Sequence, residues 1–187
     1  MKFVFSCIYS FFTDGILYVI LLLPLYILCR YIFVRKKMKK TINFQTSFFY
    51  EIAAAGLFIY LIMLFTQTFI VNSGKNAIEL VPFRIIITQF YEMLTSRTGL
   101  KKFIFNIIGN IGVFIPIGII TAYLFGGNLK KTILSGSAIS VFIEVVQLPL
   151  QRTTDIDDVI LNTTGTVIGF FLYQLINMAL KKRTVKK

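Results

Sequence analysis

The stretch FIEVVQLPLQRTTDIDDVILNTTG, residues 142–165, decides the fold. Two apolar runs flank a short polar connection, and four of the chain's eight acidic residues (Glu144 within the first run, then Asp155, Asp157 and Asp158) fall within these 24 residues. Apolar segments joined this way are expected where two membrane helices meet at an aqueous boundary, because lipid offers no partner to exposed polar groups. Acids concentrated at such a boundary raise the question of what they face.

The rest of the chain agrees with a bilayer environment. Of 187 residues, 56% are hydrophobic and 15% charged, with a mean hydropathy of +0.77. That apolar content exceeds what a water-soluble domain of this length needs for its core. Twenty Phe and nine Tyr serve packing and the membrane interface in a chain without Trp. Histidine is absent, which removes the commonest general base and zinc ligand. Cys7 and Cys29 read as small apolar core residues, since 22 positions along one helix separate them by about 33 Å, far beyond disulfide reach. The net charge of +12 points to anionic lipid, because no nucleic-acid-binding module surrounds the basic residues.

Runs long enough to cross the hydrocarbon layer, which takes about 20 residues, occur at 15–34, 52–71, 103–125, 132–150 and 159–180. The expected architecture is therefore all-α: a polytopic bundle of about five spans forming a single transmembrane domain over residues 1–187. Lys2 and the apolar segment 3–12 resemble the start of a signal peptide, but Asp14 interrupts the run and no small-residue cleavage site follows. The first span is read as retained. Twelve of the twenty Lys and Arg lie in segment 35–47, at Lys130 and Lys131, and in the tail from Lys181, with no acid among them. By the positive-inside rule these segments are expected in the cytoplasm, with the amino terminus outside.

On the expected outer side, Phe83, Ile86, Ile87, Phe90, Met93 and Leu94 recur at helical spacing, opposite Arg84, Thr88 and Glu92. The spacing predicts a short amphipathic helix in the interface, with Pro82 in its first turn. Short connections make the last three spans antiparallel neighbours in sequence order. Ser137, Ser140, Glu144, Gln147 and Gln151 then form a polar stripe on one face of the fourth span. Asn106 and Asn110 come from the third, with Asn162, Gly165, Thr166 and Gly169 from the fifth.

Counting 1.5 Å per residue from the outer ends puts Glu144, Asn110 and Asn162 at one level, about 5 to 11 Å deep. Glu144 at that depth is expected to be protonated, paired or facing water, with Arg152, Asn110, Gln147 and Asn162 as partners. Thr154 or Asp155 is expected to cap the fifth span, and Asp158 to stand in its first turn on one face with Asp155 and Asn162. Pro116 is expected to kink or open the third span below Asn110, freeing a carbonyl. Gly165 and Gly169 make a small-xxx-small pair for close helix approach.

These residues together resemble the VanZ-like membrane proteins, named after the accessory teicoplanin-resistance protein. The likeness runs through NIIGNIGVFIPIG (106–118), FIEVVQ (142–147), Arg152 and DIDDVILNTTGTVIG (155–169). It rests on the ordered set Asn110, Phe114, Pro116, Gly118, Glu144, Gln147, Arg152, Asp155, Asp158, Asn162, Gly165 and Gly169. LVPF at 80–83 is similar to the family's Pro-Phe element, with Glu79 where that pattern has Asn. The resemblance implies a multi-pass protein of the bacterial plasma membrane linked to tolerance of glycopeptide or lipoglycopeptide antibiotics, and it supplies no catalytic residue.

Taken singly, each polar residue is explained as interhelical glue or a helix cap. Ionisable groups of both signs at one depth argue instead for a ligand. The leading reading is a non-catalytic binding protein. An outward pocket of Asn110, Glu144, Gln147, Arg152, Asp155, Asp158 and Asn162 holds a polar group of a lipoglycopeptide or lipid-linked cell-wall precursor, while membrane lipids contact the helices. Phe114, Pro116, Gly118, Gly165 and Gly169 shape the scaffold. No cofactor or metal is expected. The first alternative is an enzyme acting on an envelope lipid or cell-wall intermediate, with Glu144 as general base and Asp155 with Asp158 holding Mg²⁺; neither a phosphate-cradling loop nor a nucleophile–base pair supports it. The second is a small transporter or transporter subunit, opposed by the lack of an internal repeat.

Overall fold

The computed structural model describes residues 2–40, 46–70, 77–150 and 153–185, with side chains over 13–39, 46–67, 78–149 and 154–182. Arg152 and Gln151 lie outside the described residues. The chain forms two compact units, one of the first two helices and one from the first strand onward.

In the first unit, α1 (Lys2–Lys40) and α2 (Phe48–Ile70) are both rich in apolar residues. They form an antiparallel hairpin: Gly15 lies against Met63 and Thr66, Tyr26 stacks on Phe58 at 4.4 Å, and Arg30 meets Glu51. The Arg30 guanidinium donates to both Glu51 oxygens at 2.8 Å. This bidentate geometry offsets the desolvation of two charges inside apolar helices. Cys29 is free and exposed on α1; it contributes to no core among the described residues.

The second unit starts with β1 (Ala77–Glu79), which pairs in parallel with β2 (Thr153–Asp155). Between them come α3 (Arg84–Thr95), α4 (Arg97–Leu124) and α5 (Leu129–Gln147), followed by a 3₁₀ turn at Leu148–Leu150. The last helix, α6, spans Ile156–Val185. The amphipathic segment is a helix as expected, but Pro82 precedes it in a turn rather than standing in its first turn. Its apolar residues divide. Ile86 and Met93 turn inward, while Ile87, Phe90 and Leu94 remain exposed.

Helix α4 carries a π turn at Ile104–Ile108 before its regular segment Gly109–Leu124. Pro116 sits inside that regular segment, so the break in the α pattern falls upstream of Asn110 and not at the proline. Gly126 and Gly127 adopt φ of 63° and 78° in the turn to α5. Glycine carries that left-handed conformation without a Cβ clash.

The core of this unit lies where α4, α5 and α6 meet. A Cβ on Gly118 would run into the Thr166 carbonyl, one on Gly165 into the Ile111 carbonyl and one on Gly169 into the Ile115 carbonyl. Helices α4 and α6 thus run parallel at backbone contact, with Asn110 beside Asp158 at one end and Tyr123 beside Tyr173 at the other. Helix α5 runs antiparallel to α6 and meets it through Gly136 on Thr166, Ser137 on Thr163 at 3.0 Å and Ser140 on Asn162 at 2.9 Å. Van der Waals contact and side-chain hydrogen bonds hold such an interface where lipid supplies no hydrophobic drive.

Among the described residues, four helical stretches are long and apolar enough to cross a membrane: Thr13–Lys39, Phe48–Gln67, Arg97–Leu124 and Ile156–Lys182. The anticipated span at 132–150 corresponds to α5, whose 19 residues cover about 28 Å. Lys130, Lys131, Glu144 and Gln147 lower its hydropathy and set it apart from those four.

Candidate functional site

A chain of side-chain to backbone hydrogen bonds organises the start of α6. Asp155 closes β2, and its Oδ1 accepts the Asp157 N–H at 2.9 Å, so Asp155 caps the helix. The Asp155 N–H donates in turn to Glu144 Oε2 at 3.0 Å. Glu144 is 5% exposed and secures the strand from the end of α5. Burial pushes the Asp155 carboxyl above the ordinary aspartate value; the Asp157 N–H pulls it back, and the charges of Asp157 and Glu79 push it up further.

Asp157 reaches away from its own helix. Its Oδ1 accepts the Phe83 N–H, and its Oδ2 accepts Ile85 N–H at 2.9 Å and Ile86 N–H at 3.1 Å. Phe83 stands at the N-cap of α3 with φ 65° and has no side-chain cap of its own. A bulky residue in that left-handed conformation is strained and needs surrounding structure to hold it. The Asp157 carboxylate supplies the missing cap from 74 residues away in sequence, placing negative charge at the positive end of α3.

Asp158 Oδ1 accepts from the Asn110 side-chain amide. Asn110 follows the π turn, and such turns alter which residues of a helix face a neighbour. The inner face of α3, the π turn of α4 and the first turn of α6 enclose a cavity of about 360 Å³. Its polar lining is Gln89, Asn106, Asn110, Asp155, Asp157 and Asp158; the remaining walls are apolar, Phe105 and Leu161 among them. No Lys or Arg is among the described lining residues. Gln89 is 9% exposed, and its side-chain oxygen is sealed from solvent with no hydrogen-bond partner.

Of the residues singled out in the sequence, Asn110, Asp155 and Asp158 share this cavity. Glu144, Gln147 and Asn162 are buried but are not among its lining residues. Glu144 is turned to the β2 backbone, and Asn162 donates to Ser140 Oγ at 2.9 Å while its own Oδ1 stays buried and unpartnered. Phe114, 2% exposed, packs beside Gly165 at the crossing of α4 and α6.

Sequence reasoning passed over Asp157 and Gln89 and left Asn106 out of the pocket. Gln89 had a signal, three residues after Ile86 and four before Met93 on the inward face of α3. Asp157 had none, because an acid in a helix's first turn is already explained by its own helix dipole. Among the described residues no group of three or more His, Cys, Asp or Glu is placed to hold a metal ion.

A family model described as VanZ/LLP1 matches residues 52–177. No curated protein and no solved structure matches the chain.

Proposed function

Because the chain belongs to the VanZ/LLP1 family, we propose that this multi-pass membrane protein binds the polar head of an amphipathic, envelope-directed molecule and keeps it from its target. The molecule is a teicoplanin-type lipoglycopeptide or a lipid-linked cell-wall precursor. Residues 1–187 act as one functional domain in the bacterial plasma membrane, with the cavity end outside and the basic segments in the cytoplasm. The protein works by binding, without a cofactor.

The observation that carries this reading is the 360 Å³ cavity, lined by three aspartates together with apolar side chains, at the start of an apolar helix. Ligand sites are commonly concave, mostly apolar and oriented by a few polar groups. A drug with a charged head and an acyl tail presents the same division.

The test is binding of teicoplanin to the purified full chain in nanodiscs, together with growth inhibition of cells expressing it. Wild-type protein is expected to bind and to raise the inhibitory concentration. Asp158→Asn keeps the shape and an acceptor for Asn110 but removes a charge; it is expected to weaken binding about tenfold, the scale of one lost charge-assisted hydrogen bond. Equal binding by wild type and variant at equal membrane abundance removes the cavity as the site.

A further inference from the structure

We infer that the cavity selects a primary ammonium group, and that the Gln89 side-chain oxygen is the acceptor that reads one of its N–H donors. This deepens the reading above and rests on the cavity being the binding site. Three observations lead there.

The first is an imbalance of partners. A buried amide oxygen without a donor is rare in folded proteins because its desolvation goes uncompensated. Gln89 has such an oxygen and lines the cavity. The group that completes it must donate.

The second is charge. Three carboxylates line the cavity with no base among the described lining residues, inside a chain of net charge +12. Asp157 is committed to three backbone N–H groups of α3. A carboxylate offers about four lone-pair sites, and Asp155 gives one oxygen to the Asp157 N–H. Further acceptor capacity therefore remains at the cavity, and its negative charge calls for a cation.

The third is what kind of cation fits. Hard divalent ions need several oxygens converging on one point. The described residues contain no such group of acids. Phe105, Ile107 and Leu161 instead give part of the wall to hydrocarbon. An organic ammonium carries charge, three N–H donors and an apolar body together. A quaternary ammonium has the charge and the body but no N–H, so Gln89 separates the two.

Ligand-detected NMR on the full chain in phosphatidylcholine nanodiscs tests this, with cyclohexylmethylamine, its N-trimethyl counterpart and Mg²⁺ as probes. The amine is expected to bind, the trimethyl form at least about tenfold more weakly, and Mg²⁺ not to displace the amine. Gln89→Leu is expected to weaken amine binding about tenfold, while Gln89→Glu, which keeps an acceptor, retains it. Amide exchange at Phe83, Ile85 and Ile86 reports whether each variant keeps α3 in place; should Gln89→Leu lose it, the comparison of the amine with its trimethylammonium counterpart on wild type decides. Equal binding of the amine and its trimethylammonium counterpart, displacement by Mg²⁺, or wild-type affinity in a folded Gln89→Leu overturns the inference. Teicoplanin binding that depends on Asp158 but ignores Gln89 sinks this inference alone; no teicoplanin binding with amine selection intact sinks the proposed function and upholds the ammonium site.

Discussion

A single carboxylate, Asp157, does structural work for a helix it does not belong to. Its three acceptor contacts satisfy N–H groups that a helix start leaves open, and they fix Phe83 at a positive φ. Removing a capping side chain costs about 0.5–2 kcal/mol. Asp157→Ala is therefore expected to raise hydrogen exchange at Phe83, Ile85 and Ile86 roughly tenfold, with little change in the amides of Gly109–Leu124. Unchanged exchange at the three amides would show that the cap holds nothing. The neighbouring acids illustrate what a sequence can and cannot tell. A cap at Thr154 or Asp155 was legible because it depends on residues a few positions apart, and the structure gives it to Asp155. The partner of Asp157 was not, since it depends on the loop before α3 being brought back beside β2 by the pairing of Glu79 with Asp155. Glu144 was legible as a polar residue inside an apolar span, but its direction was set by the Asp155 N–H.

Among the elements, the crossing of α4 and α6 is the part most sensitive to volume. Gly118, Gly165 and Gly169 each face a backbone carbonyl, which has no flexible end to move aside. Gly165→Ala is expected to lower stability by about 1–3 kcal/mol, the usual penalty for overpacking. Gly112→Ala, where an added Cβ meets nothing within 4 Å, should be neutral or stabilising by roughly 0.5–1 kcal/mol. Thermal midpoints of the two variants in the same detergent measure the contrast, and equal midpoints would refute it. The helices themselves were readable because apolar length and helical period survive in any tertiary context. The π turn was not readable: Ile104–Ile108 has the same apolar character as the regular helix that follows it. Its effect is nevertheless felt at the cavity, where Phe105, Asn106 and Ile107 from that turn join Asn110. The Arg30–Glu51 pair escaped notice for the opposite reason, since two charges in different apolar runs announce their partnership only when the runs form a hairpin.

At the scale of the whole chain, charge distribution makes the most direct prediction. The proposed orientation places Thr98 outside and Lys130 inside. Both are exposed. With Cys7 and Cys29 replaced by Ser, Thr98→Cys is expected to react with a membrane-impermeant thiol reagent in intact cells, and Lys130→Cys only after the cells are opened. The reverse pattern would invert the orientation and put the cavity on the cytoplasmic side. The order of the chain adds a temporal constraint through the bond from Asp157 to the α3 amides. When residues 83–95 leave the ribosome, the clamp for their first turn has not yet been translated. Two further helices must be made before it arrives. A nascent chain arrested at residue 150 would hold α1 to α5 and lack the acidic floor of the cavity, so the site is completed only once residues 155–158 have been made.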